Sequence, residues 1–198
     1  IEKQMLLMLH YDVLQNTGGF NTIEESIQAL EGNKIMLDEM KEVLTLLIDS
    51  IYFKEINLQL PYPQALKVHA RYTRDQILAV FGLSTFEKKS SSREGVVENK
   101  ELNTELLFVN LIKSEENFSP TTMYDDYAIN QTLFHWQSQN SAAPNTPKGI
   151  SYINHQKNQK KILLFIREKA KDQYGNTMAY VFVGEGILKE YYGEKPIN

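Results

Sequence analysis

The chain has 198 residues, 42% of them hydrophobic and 23% charged, which suits one ordinary domain, or a modest domain with a helical subdomain attached, and excludes a disordered chain. It contains no cysteine, so a disulfide scaffold, Cys-ligated zinc, an iron–sulfur cluster and a thiol nucleophile are all excluded. The net charge of −4 is uneven: residues 1–60 carry four Lys/Arg against ten Asp/Glu, whereas 61–198 carry 17 against 15.

The chain begins without Met and already in a helical pattern, as expected of a piece of a longer one. Residues 2–15 are rich in Leu and Met and run to a turn at Gly18-Gly19. Thr22 and Glu25 have capping-box spacing, and Ile23, Ile27 and Leu30 follow at helical spacing until Gly32-Asn33. Met36, Met40, Val43, Leu44, Leu47, Ile48 and Ile51 then make the clearest helical stripe, read as a core face. Pro61 and Pro63 mark a connector, and Thr73 with Gln76 caps a further short helix that Gly82 ends.

After a polar loop at 87–93, the texture changes to strand. Leu106–Ile112, Ile162–Ile166 and Tyr180–Val183 are continuous apolar runs bounded by turn residues, 113–119 reads as a turn and 141–148 as a loop. The expected architecture is α+β: a helical subdomain over 1–82, then a β-rich domain over 83–198. That domain is expected to be a mainly antiparallel β-sheet or a partly open β-barrel, without a βαβ fold.

Catalytic signatures are missing. There is no phosphate-binding Gly-rich loop, no dinucleotide fingerprint and no Gly-x-Ser-x-Gly elbow. His10, His69, His135 and His155 lie far apart and have no metal-ligand spacing. Glu87-Lys88-Lys89, Asp125-Asp126 and Glu168-Lys169 come nearest the Asp…(Asp/Glu)-x-Lys pattern of metal-dependent nucleases, and none fits it on a strand. No catalytic residue, metal or cofactor is therefore expected. Nor is a membrane partner, since no apolar run reaches the ~18–20 residues of a span. The cytoplasm is the expected location, the lack of cysteine being compatible with a reducing compartment.

Two features point to nucleic acid. Residues 148–171 hold seven Lys/Arg and a single acid, Glu168, a charge balance that attracts phosphates or else marks a solvated hairpin. Phe134-His135-Trp136-Gln137-Ser138-Gln139-Asn140 holds the single Trp beside three amides, near Tyr124 and Tyr127. On a strand, Phe134, Trp136 and Ser138 would share one face, with His135, Gln137 and Gln139 on the other. Aromatics stack on bases and amides pair with base edges; the same block also suits a Trp-anchored core strand with a wet polar face.

Several segments occur in a recognisable order: Tyr72-Thr73-Arg74-Asp75-Gln76-Ile77-Leu78, Arg93-Glu94-Gly95-Val96, Tyr124-Asp125-Asp126-Tyr127, the Phe134–Gln139 block, Leu164-Phe165-Ile166-Arg167-Glu168 and Tyr180-Val181-Phe182-Val183-Gly184. The series resembles the uncharacterised C-terminal domain of bacterial superfamily II (DEAD/DEAH-type) helicases of the restriction-enzyme kind, which often carry an N-terminal phospholipase-D-like nuclease domain. The resemblance covers about residues 60–198. It implies an upstream ATPase core joined through residues 1–60, and a final apolar strand beyond Pro196-Ile197 that this chain lacks.

The expected function is that of an accessory DNA-binding module in a larger helicase or restriction-type protein, not itself an enzyme. Lys157, Lys160, Lys161 and Lys169 would contact phosphates. Tyr127, His135, Trp136, Gln137, Gln139 and Arg167 would form the recognition surface, which could accept a flipped base. The alternative is a docking domain that positions helicase or nuclease domains of the same parent chain without touching DNA.

Overall fold

The computed structural model describes residues 1–51, 56, 58–112 and 126–198. The expected turn at 113–119, with Tyr124 and Asp125, lies outside them. The chain divides into two compact units, residues 1–91 and 92–198.

The first unit is helical. Helix α1 spans Glu2–Leu14, α2 Ile23–Gly32 and α3 Lys34–Asp49. The Thr22 hydroxyl accepts the Glu25 amide, as the spacing predicts, while the Glu25 carboxylate reaches back to the Asn21 amide at 2.9 Å. After the short strand β1 (Arg71–Tyr72), the capping box of α4 (Arg74–Val80) is complete, with Thr73 and Gln76 satisfying each other's backbone amides at 2.8 and 3.2 Å. Ile77, Leu78, Ala79, Val80 and Phe81 are buried behind it. Gly82 adopts φ +67°, a left-handed turn open to glycine, and the Leu83 and Ser84 amides close on the Leu78 carbonyl.

The stripe on α3 departs from expectation. Met36, Leu37 and Met40 are partly covered, but Val43, Leu44, Leu47, Ile48 and Ile51 are exposed, Ile48 by 66%. Helical periodicity says which residues share a face; it does not say that anything covers that face.

In the second unit, β2 (Val96–Asn99), β3 (Thr104–Asn110), β6 (Lys161–Arg167) and β7 (Tyr180–Glu185) lie side by side in the order β7-β6-β3-β2. Pairs β2/β3 and β6/β7 are antiparallel, whereas β3 and β6 are parallel, from Thr104 opposite Lys161 to Asn110 opposite Arg167. A parallel pair requires a crossover. Here the connection carries the small antiparallel pair β4 (Tyr127–Ala128) and β5 (Phe134–His135), then helix α5 (Pro147–Ile153). The α+β class stands. The main sheet is mixed and open, and no closed barrel is present among the described residues.

Alternation separates the sheet's two faces. One face carries Val96, Leu107, Val109, Ile162, Leu164 and Ile166, packed against Ala142, Tyr152 of α5, Phe134 and Trp136. The other carries a ring stack, with Phe165 lying 5.5 Å from Phe108 and 4.8 Å from Phe182, centroid to centroid. Helix α5 starts inside the segment read as a loop. Thr146 caps it by accepting the Gly149 amide at 3.1 Å, and Pro147 sits at its first turn. A side chain at Gly149 would collide with the Ala143 carbonyl, so α5 approaches that close only with glycine there.

Candidate nucleic-acid interface

Strands β4 and β5 place Tyr127 directly opposite His135. Directly opposed residues share a face, and these two rings stack at 4.7 Å and 16°. The connecting turn is held by the Asn130 side chain, whose Oδ1 accepts the Thr132 and Leu133 backbone amides, each at 2.9 Å. His135 Nε2 shares a hydrogen bond of 2.8 Å with the Tyr192 hydroxyl. Tyr127 and Tyr192 are 50% and 62% exposed, so the three rings form an open aromatic ledge.

Trp136 turns the other way. It is partly buried against the core and meets Tyr152 edge-on at 5.2 Å and 86°. The Tyr152 hydroxyl donates to Gln139 Oε1 at 2.7 Å, and burial, with the charges of Glu105 and Glu98, holds that phenol well above its usual pKa. The Gln137 backbone N–H donates to Asp126 Oδ1 at 2.9 Å. Only Phe134 and His135 of the 134–140 block are in a ladder; Ser138 instead exchanges hydrogen bonds with Ile197, each 2.9 Å.

The cationic residues separate into bound and free. Lys160 Nζ lies 2.5 Å from Glu98 and 3.1 Å from Glu105, and Lys148 contacts the same two carboxylates. Lys161 pairs with Glu185 at 2.9 Å. Arg167 bonds to Asn110 Oδ1, donates to the Met178 carbonyl at 3.0 Å and lies 4.3 Å from the centroid of the Tyr180 ring. Lys157 and Lys169 have no ion pair among the described residues. They flank β6 at opposite ends, and its seven residues span roughly 20 Å. Arg167 and Trp136 sit on opposite faces of the sheet. Tyr127 and His135 are therefore brought together, and Gln139 joins Trp136 through Tyr152. Lys157, Lys169 and Arg167 do not converge on one patch.

The described residues contain no group of three or more His, Asp or Glu placed to hold a metal, and no helix long and apolar enough to cross a membrane. His155 is a satisfied core histidine: its Nδ1 faces the Lys160 carbonyl at 3.2 Å and its Nε2 accepts the Leu188 amide at 3.1 Å.

The model of a family described as a domain of unknown function (DUF3427) matches residues 66–196. The chain belongs to this family. No curated protein and no solved structure matches it.

Sequence reasoning missed several residues that shape this DUF3427 domain. Tyr192 completes the ledge, although it lies 57 positions from His135 and had no local pattern to mark it. Glu98 and Glu105 neutralise two lysines of the basic stretch. Their signal was present in a weak form: both occupy strands in an otherwise apolar setting, and facing carboxylates on paired strands need cations between them. Lys148 and Tyr152 were hidden with α5, which the Thr146-Pro147 start signature could have revealed.

Proposed function

We propose that this DUF3427 chain is a nucleic-acid-binding accessory module of a larger bacterial helicase or restriction-type protein. The observation that carries the reading is the ledge of Tyr127, His135 and Tyr192, aromatic rings held in fixed register yet left open to solvent. Such a surface suits unpaired bases, because stacking on an aromatic platform is available to any base and needs no particular sequence. Lys157 and Lys169 supply phosphate contacts at separate points along the strand. Lys160, Lys161 and Arg167 hold the sheet, and Trp136 packs into the core against Tyr152. Catalysis belongs to other domains of the parent protein, which the module would bring to DNA in the cytoplasm.

A second reading applies to the first unit. The exposed stripe Val43, Leu44, Leu47, Ile48 and Ile51 favours docking against helicase or nuclease domains of the same parent. The two roles are compatible, since they use different units.

Fluorescence anisotropy with single-stranded and duplex oligonucleotides at low salt tests the nucleic-acid reading. Binding is expected to favour single strands, and Tyr127→Ala to weaken it on the order of tenfold. Absence of binding by the unaltered chain would leave the docking role alone.

A further inference from the structure

The first unit holds a pocket of about 160 Å³, walled by Leu9 and Val13 of α1, by Phe20, and by Ile27 and Leu30 of α2. Two polar side chains share that lining, His10 of α1 and Ser26 of α2. Both are buried, and they meet at 2.8 Å between His10 Nδ1 and the Ser26 hydroxyl. The other neighbours of the imidazole are rings: Tyr11 stands edge-on at 5.8 Å and Phe86 lies tilted at 5.0 Å. Nε2 is buried and has no hydrogen-bond partner among the described residues.

The Ser26 hydroxyl has no other acceptor among the described residues, so it donates to Nδ1 and the ring proton sits on Nε2. A buried N–H without an acceptor is costly, and native interiors leave few of them. The pocket that His10 lines is otherwise mainly apolar, and a cavity of about 150 Å³ takes a benzene ring. A ligand matching both features has one planar ring and an acceptor oxygen, and brings no donor of its own to be left unpaired. No amino-acid side chain combines these: phenylalanine lacks the oxygen, and tyrosine and tryptophan bring a donor. The chemistry therefore favours a free small molecule over an inserted protein segment.

We propose that this pocket binds a small aromatic ketone or ether, whose oxygen accepts the Nε2 proton of His10. The site lies within the first unit and is independent of the nucleic-acid reading.

The test uses the full chain in NMR titrations with acetophenone and with α-methylstyrene, which has the same shape but a methylene in place of the oxygen. Both are expected to shift the methyl signals of Leu9, Val13 and Ile27. Acetophenone alone should move the His10 Nε2–H proton downfield, as a new hydrogen bond does. His10→Phe should weaken acetophenone binding about tenfold and leave that of α-methylstyrene unchanged. Leu30→Trp, which fills the pocket and keeps the bond between His10 and Ser26, should abolish the shifts from both. Methyl signals unmoved by either compound, or acetophenone binding that leaves the Nε2–H signal in place, would overturn the proposal. So would equal affinity of acetophenone for His10→Phe and the unaltered chain. Tighter binding of p-cresol, the side chain of tyrosine, than of acetophenone would replace the free molecule by a partner's tyrosine. The Nε2–H signal is read on the unaltered chain, so the test stands even if a variant fails to fold.

Discussion

Lys160 and Glu105 meet at 3.1 Å inside the second unit, with the carboxylate side chain fully shielded from solvent and that of the lysine 8% exposed. Glu98 and Lys148 complete a four-charge network around them. What reads in sequence as part of a phosphate-binding surface is thus an internal brace between β2, β3, α5 and the start of β6.

Removing Glu105 should damage the second unit. Glu105→Gln leaves two lysines with only Glu98 to share, and loss of one member of a buried pair costs about 3 kcal/mol. Urea unfolding should show a lower midpoint at unchanged slope. Lys157→Ala, in contrast, should stay within about 0.5 kcal/mol of the parent chain.

The same network predicts the pH dependence of stability. The hydrogen bond from Lys160 holds Glu98 below the usual carboxylate range; burial opposes this, and the charge of Lys148 reinforces it. Burial also opposes the charged form of Lys160, but its bond to Glu98 and the charge of Glu105 outweigh that, and its pKa is raised. The depressed Glu98 stabilises the fold above the ordinary glutamate range and loses its effect as pH falls through its folded value. The raised Lys160 stabilises below the ordinary lysine range and loses its effect as pH rises through its folded value. Unfolding midpoints should therefore be level near neutrality and fall at both extremes. Glu98→Gln should flatten the acid limb, modestly because Glu98 is partly exposed.

Trp136→Ala should act through packing. The indole fills space against Tyr152 and the core of the second unit, and a half-buried aromatic lost from such a site costs about 2–3 kcal/mol. Chemical denaturation followed by circular dichroism measures this, since the variant has no tryptophan to report. A loss below about 0.5 kcal/mol would return Trp136 to the recognition surface.

Salt dependence of DNA binding separates free lysines from bound ones. Lys157→Ala and Lys169→Ala should each reduce the slope of log affinity against log salt by about 1. Lys161→Ala, which loses a contact to Glu185 rather than to phosphate, should leave that slope unchanged. Equal effects from all three would mean that the ion pair to Glu185 opens on binding.

Much of this protein is written in short stretches of its chain. The capping box at Thr73 and Gln76, the turn at Gly82 and the apolar runs that became β3, β6 and β7 all depend on residues a few positions apart, where backbone geometry and side-chain period act directly. Which lysines are free does not. Lys148 finds Glu105 across 43 positions, Lys160 finds Glu98 across 62, and Arg167 finds Asn110 across 57. Composition counts charges, and only the pairing of β3 with β2 and β6, the pairing of β6 with β7 and the packing of α5 decide which of them are already neutralised. The same holds for the apolar stripe of α3, whose period is local and whose exposure depends on what lies beside it.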